Sequence, residues 1–442
     1  MGLTTGRRGA AAIAIASVAV LLVSACGDDS GSETGSGTKS DEKIELTVDV
    51  FGDQGFGYEE LYKQYQTDHP NITIKERGKG LGGGDYSTKL TQWMTSGAGA
   101  GDVVAIEEGQ ITQLRAQPAN FVNLADHGAE SLKGDYLPWK WDQGLSADKK
   151  TIIGLGTDVG GMAICYRTDL FQAAGLPTDR EAVGALWKDW DAYIATGKQY
   201  ASRAKGSKFV DAATNLYNTI LMQKAGAGTG HTYFDESNKM VLDSNPDVKA
   251  AWDTTTAAVK AGLSANLKSF SPEWTTGFKQ AQFATIGCPG WMTGVIKGQA
   301  GDEASGKWDV AKAPGGGGNW GGSFLAVPKQ GKHPKEAAEL AKFLTNTAAQ
   351  VEAFKKLGNL PSSTKALADP AVTEFKNPYF NNAPTGQIFG AGATALKPVF
   401  LGAKNQAVRD EVENALRTVE QGSKTPEAAW QDAVKNGTSA GK

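Results

Sequence analysis

Cysteine is scarce in this 442-residue chain, with three residues, Cys26, Cys165 and Cys288, and the four histidines, His69, His127, His231 and His333, are scattered. No Cys-x-x-Cys occurs and nothing has the spacing of a metal site, so neither a metal nor a cofactor bound through one is expected. A His-Glu-x-x-His helix is absent, which removes one hydrolase signature legible in short motifs. Positive charge is not in excess: 45 Lys and Arg stand against 48 Asp and Glu, a net charge of −3. That balance argues against a nucleic-acid partner. Beyond residue 26 no run reaches the ~20 apolar residues of a membrane span.

The chain does have a distinctive start. Arg7-Arg8, the apolar run Ala10 to Val23 and the small residues Ser24 and Ala25 describe an export signal. Val23-Ser24-Ala25-Cys26 resembles the lipobox of bacterial lipoproteins, which implies cleavage before Cys26, lipidation of its thiol and an extracytoplasmic body held to the cell membrane by that lipid. Arg7-Arg8 leaves open whether export is general or twin-arginine. Residues 27–42 are Gly, Ser, Thr, Asp and Lys-rich with no apolar side chain, a flexible linker. With Cys26 assigned to lipid, Cys165 and Cys288 remain, either as a disulfide or as two buried thiols.

Order begins at Ile44, Leu46, Val48 and Val50, which alternate with polar residues as in a half-buried strand. A loop, Gly52-Asp53-Gln54-Gly55-Phe56-Gly57, leads to a helical stripe of Tyr58, Leu61, Tyr62 and Tyr65, and Ile72 to Lys75 is a second strand. Strand, helix, strand is the unit of mostly parallel sheets flanked by helices. It recurs: Asp102 to Ile106, Met162 to Tyr166 and Phe324 to Val327 read as strands, Lys335 to Thr347 and Val408 to Val419 as helices. The class is α/β.

Two glycine runs are decoys. Gly78 to Gly83 fits a dinucleotide fingerprint, but it does not follow the first strand, and an exported protein meets little nicotinamide cofactor. Gly315 to Gly318 lacks the lysine of a phosphate loop. No cofactor is expected. Glu107 and Glu108 are adjacent, and in an extended segment would point to opposite sides, which spoils them as a facing acid/base pair; an exported glycoside hydrolase is the alternative function. Tryptophan is frequent, with eleven residues. Trp93, Trp190, Trp252 and Trp430 lie on helical stripes and read as core; Trp274 in a turn, and Trp291 and Trp320 beside glycine at strand ends, read as flat surfaces for a sugar ring, whose hydroxyls suit nearby carboxylates and amides.

These residues resemble a family, the extracellular solute-binding proteins (family 1 type) of carbohydrate ABC importers. The resemblance rests on the lipobox, on Gly52-Asp53-Gln54-Gly55-Phe56, on Gly160 to Phe171 with Ala174-Gly175-Leu176-Pro177 and Trp187 and Trp190 downstream, and on Pro289-Gly290-Trp291. It implies two α/β lobes of the periplasmic-binding-protein type, each a mostly parallel sheet flanked by helices, hinge-linked, with sugar bound between them. Lobe one would take 43–156 and 312–343, lobe two 157–311 and 344–442. The site residues implied are Asp53, Gln54, Glu107, Glu108, Asp158, Trp274, Trp291, Trp320, Ser323, Asn382, Thr385 and Gln387. The activity implied is capture without catalysis by a monomer that hands its sugar to the transmembrane subunits of an ABC permease. Cys288-Pro289-Gly290-Trp291, where relatives more often read Gly-Pro-Trp, looks most like actinobacterial cello-oligosaccharide receptors, with cellobiose or cellotriose as ligand and xylo-, chito- and malto-oligosaccharides as rivals.

Overall fold

The computed structural model describes residues 42–442 except 392, 394, 395 and 397. The signal segment, Cys26 and the linker up to residue 41 lie outside the described residues. Eleven strands fall within them: β1 (Ile44–Asp49), β2 (Ile72–Arg77), β3 (Val103–Glu107), β4 (Gly154–Gly156), β5 (Asp158–Val159), β6 (Met162–Arg167), β7 (Lys208–Val210), β8 (Phe283–Pro289), β9 (Trp308–Lys312), β10 (Ser323–Ala326) and β11 (Leu360–Pro361). They build two principal sheets, ordered β2-β1-β3-β10-β4 and β7-β8-β6-β9. The fold is two-lobed, one sheet to each lobe, with helices packed around them.

The alternation of β1 is realised with Ile44, Leu46 and Val48 buried and Glu45 exposed. It pairs in parallel with β2 from Ile44↔Ile72 to Asp49↔Arg77, and with β3 on its other side. The carboxylate of Asp49, buried at the end of β1, accepts from Arg77 at 2.6 and 2.7 Å and from the Gly101 amide at 2.6 Å, tying the three strand ends together. In each sheet a single strand runs against the others: β10 is antiparallel to β3 and β4, and β6 to β8 and β9. One apolar cluster surrounds the first sheet and takes in Leu340 and Leu344 of the helix Pro334–Thr345. The second sheet has a cluster on each face, one including Val412 and Leu416 of the helix Asn405–Glu420, the other including Trp274, Trp308 and Phe380. A disulfide joins Cys165 of β6 to Cys288 of β8, with Cα atoms 5.4 Å apart. Trp190, Trp252 and Trp430 are buried and Trp93 is partly buried against the first core. No helix among the described residues is long and apolar enough to cross a membrane.

The chain passes between the sheets after β4 and returns before β10, and the two passages lie side by side. The Trp320 amide donates to Gly160 O at 2.8 Å, Met162 N to Gly318 O at 3.1 Å and Thr157 N to Ser323 O at 2.9 Å. Gly160 is required by this closeness, because a Cβ there would lie 1.8 Å from the Trp320 carbonyl oxygen, and backbone cannot move aside as a side chain can. Gly160→Ala is expected to cost on the order of 3 kcal/mol in urea unfolding. The control is Gly134→Ala, where a Cβ meets nothing within 4 Å, and which should be neutral or slightly stabilising. Equal stabilities for the two variants would show that the crossing has slack.

Candidate functional site

Both lobes contribute to one cavity of about 30 Å³. From the first, β3 ends at Glu107 and the chain turns at once into the helix Glu108–Leu114, with the Glu107 carboxylate accepting from the Gly109 amide at 2.7 Å as its N-cap. This corrects the expectation of an extended Glu107-Glu108 pair pointing to opposite sides: the strand stops between them and both line the cavity. The return crossing supplies Trp320 and Gly321. Facing them are Asn218, Leu221 and Met222 of the helix Ala213–Ala227, then Thr232, Tyr233 and Leu401, and Asn405 and Arg409 of the helix Asn405–Glu420.

Behind this lining lies a layer of buried charge. The Asn319 amide donates to both oxygens of Glu108, at 3.0 and 2.9 Å, and Gln143 donates to one at 3.1 Å. Burial pushes the Glu108 carboxyl up to about 7, against the opposing pull of Lys140 and Gln143. Asp158 accepts from Thr157 Oγ1 at 2.7 Å and from the Ser323 amide at 2.9 Å; burial raises its pKa too, against Lys140. Lys140 is fully buried, its Nζ 3.9 Å from the centroid of the Phe324 ring and without a hydrogen-bond partner among the described residues. Burial lowers its pKa against the attraction of Glu108, Asp158 and Glu107. Arg409 donates to Glu413 at 2.7 Å and lies 6.0 Å from the Trp320 ring centroid. Burial opposes the charge on Arg409, but Glu413 and Glu107 outweigh it and its pKa is raised.

The residues expected from sequence divide by position. Glu107, Glu108 and Trp320 line the cavity, while Asp158 and Ser323 stand behind it, Ser323 paired with Glu107 across β10 and β3. Trp291 meets Trp320 edge-on at 6.0 Å, its Nε1 donating to the Trp320 carbonyl at 3.1 Å. Asp53 and Gln54 meet the helix Met292–Ala300 instead: Gln299 donates to Asp53, and Gln54 packs over Gly298. Trp274 is not in a turn but in the helix Pro272–Lys279, where Pro272 takes the first helical position. It is 1% exposed and donates to Asp211 at 2.7 Å; burial pushes that carboxyl up to about 7. Asn382 and Gln387 line a separate depression of about 740 Å³ with Arg180, Glu374 and Lys376, and Thr385 is buried at 2% exposure.

Several residues of the cavity and of the charged layer behind it carry little signal in the sequence. Arg409 precedes the apolar stripe of a helix read only for that stripe, and Asn218 sits on the helix Ala213–Ala227, most of whose side chains are buried, so that it shows little amphipathic period. Lys140 lies between Trp139 and Trp141, a context that could have flagged it.

Glu108 makes a pH-dependent contribution to stability. Its carboxyl keeps its proton to about 7 when folded, against an ordinary value of 4.5, so the folded state is favoured below the ordinary value and that advantage is lost as pH rises to about 7. Glu108→Gln should therefore flatten the fall in Tm between pH 5 and pH 8 relative to wild type, measured by differential scanning fluorimetry. Parallel curves would show that Glu108 ionises as freely in the folded chain as in the unfolded one.

Residues 60–380 match the family model of the bacterial extracellular solute-binding proteins. No curated protein sequence matches the chain. Among solved structures, a family 1 extracellular solute-binding protein shares 41% identity and a TM-score of 0.76, over 90% of this chain and all of that one. A binding protein associated with an ABC transporter of B. animalis subsp. lactis Bl-04, solved with β-1,6-galactobiose, has 21% identity and a TM-score of 0.75, over 90% of this chain and 98% of that one. The galacto-N-biose/lacto-N-biose I-binding protein of Bifidobacterium longum has 20% identity and a TM-score of 0.72 at the same coverage. The last two likenesses concern the fold; the match over residues 60–380 and the 41% identical relative establish that this chain belongs to the bacterial extracellular solute-binding proteins.

Proposed function

We propose that the chain is an extracytoplasmic oligosaccharide receptor that delivers its ligand to the transmembrane subunits of an ABC permease. The observation that carries this reading is the composition of the interlobe cavity, where the Trp320 ring, with Trp291 edge-on to it, shares the lining with the carboxylates, amides and guanidinium of Glu107, Glu108, Asn218, Asn405 and Arg409. Flat rings cover the C–H faces of a sugar while such groups take its hydroxyls. Ligand pockets hold ~300 Å³ or more, far above the cavity's 30 Å³, so a saccharide enters with the lobes apart, and a ligand that favours closure shifts that population. The sugars carried by the Bl-04 and B. longum proteins support the ligand class. Within it, cellobiose or cellotriose is the first choice, with xylo-, chito- and malto-oligosaccharides next. The lobes divide as 43–156 with 312–343 and 157–311 with 344–442. Lipidation of Cys26 holds a monomer to the membrane near its permease, where a tether raises local concentration.

Capture without chemistry separates this from an exported glycoside hydrolase. Protein lacking residues 1–26 should gain several degrees in Tm with one saccharide series and release no shorter sugar on prolonged incubation; product formation would overturn the receptor reading. Trp291→Ala should weaken binding about tenfold or more while leaving the ligand-free Tm nearly unchanged. A Tm loss comparable to that of a core truncation would assign the ring to packing. Cys26→Ser should move the protein from the membrane to the soluble fraction with sugar affinity intact, and loss of that affinity would place Cys26 within the fold.

A further inference from the structure

Phe270 stands out on two counts. It is 53% exposed, the one large apolar side chain so exposed among the described residues, and its φ of +63° lies in the left-handed region that bulky side chains rarely adopt. Neither feature helps the fold: the exposed ring forgoes much of the burial an aromatic gives, and the backbone is held where glycine would be at ease. Strain retained at an exposed aromatic points to a use outside folding. Its position supplies one. Phe270 lies 4.9 Å from the buried Trp274 and 6.5 Å from Trp291, with the Trp291 ring plane only 27° from its own. Trp291 is in turn 6.0 Å from Trp320 on the cavity wall. Three rings thus step outward from the cavity, buried at Trp320, partly buried at Trp291 and open to solvent at Phe270. Two of these steps fall within the centroid range of aromatic stacking.

We propose that Phe270 is the outer platform of this aromatic track, a specificity-determining residue that takes a sugar unit beyond those enclosed between the lobes and so sets the preferred length of the saccharide. The inference rests on the oligosaccharide-receptor reading. A unit that reaches past Trp291 finds a flat apolar face already fixed in place, one side of the Phe270 ring resting on Trp274 at 4.9 Å and the rest open to solvent. Short saccharides do not reach Phe270 and are indifferent to it.

The test uses Phe270→Gly, because glycine accepts the positive φ and removes only the ring. Calorimetric titrations of the chain lacking residues 1–26 would compare mono- to tetrasaccharides of the cello, xylo, chito and malto series. The expected result is a loss of about three- to tenfold in affinity for the longer members of the series that binds, with the shortest binder unchanged and the ligand-free Tm equal to or above that of wild type. Equal affinity at every length, or a loss uniform across lengths, would overturn the platform. A lowered ligand-free Tm would assign Phe270 to packing and overturn it as well. A wild-type chain that binds none of the four series would bring down the receptor reading itself, a result distinct from a wild type that binds and a variant that binds equally.

Discussion

The molecule turns on the closeness of two backbone passages between its sheets. With Gly160 against the Trp320 carbonyl, no side chain can separate them, and Gly322, at a φ of +107°, lets the return strand pass the Asp158 carbonyl where a Cβ would lie 2.6 Å away. The adjoining side chains take their positions from this crossing. Asn319 accepts from the Gly160 amide at 2.8 Å with its oxygen and donates to Glu108 with its nitrogen, so one amide couples the crossing to the cavity wall. Trp320 is fixed the same way, its amide donating to Gly160 and its carbonyl accepting from Trp291. A passage held by backbone bonds can bend through small dihedral changes without losing those contacts, which is what hinge closure requires.

The crossing also explains how so much charge is tolerated inside. Lys140, Glu107, Glu108 and Asp158 would be costly singly, since an unpaired buried ion loses far more solvation than it regains. Here the carboxylates share the field of Lys140 and Arg409 and accept hydrogen bonds from fixed amides and hydroxyls. In such surroundings hydrogen-bonding groups act at low dielectric, where each interaction is stronger than in water. A ligand hydroxyl brought between the lobes would meet acceptors and donors whose orientation had been settled during folding.

How much of this was legible in the sequence depended on whether the determining contact was local. The alternation of Ile44, Leu46 and Val48 announces β1 because one face of it meets the core, and Val412 and Leu416 announce their helix for the same reason. The strand ends follow, and with them Glu107 and Trp320. The helix Ala213–Ala227 carries no such signal: it is buried on nearly every side, and a helix surrounded by protein has no polar stripe to mark its period. Arg409 was hidden by a different cause, since an arginine at the start of an amphipathic helix looks like any solvated charge until Glu107 and Trp320 arrive from more than eighty residues away in the chain.

Trp274 and Trp291 show where local reading stops. Each follows a proline by two residues, with Glu273 or Gly290 between, and nothing nearby tells them apart. Their fates diverge because Asp211, distant in sequence, takes the Trp274 indole N–H, whereas the Trp291 N–H goes to the carbonyl of the return crossing. An indole whose polar edge is satisfied inside a lobe has no reason to leave it, and its apolar body then adds to the core. An indole whose polar edge is satisfied on the crossing is left with its ring against Trp320 of the cavity wall. The long-range hydrogen-bond partner, and not the glycine or proline alongside, decides which tryptophan is enclosed in a lobe and which is held at the crossing.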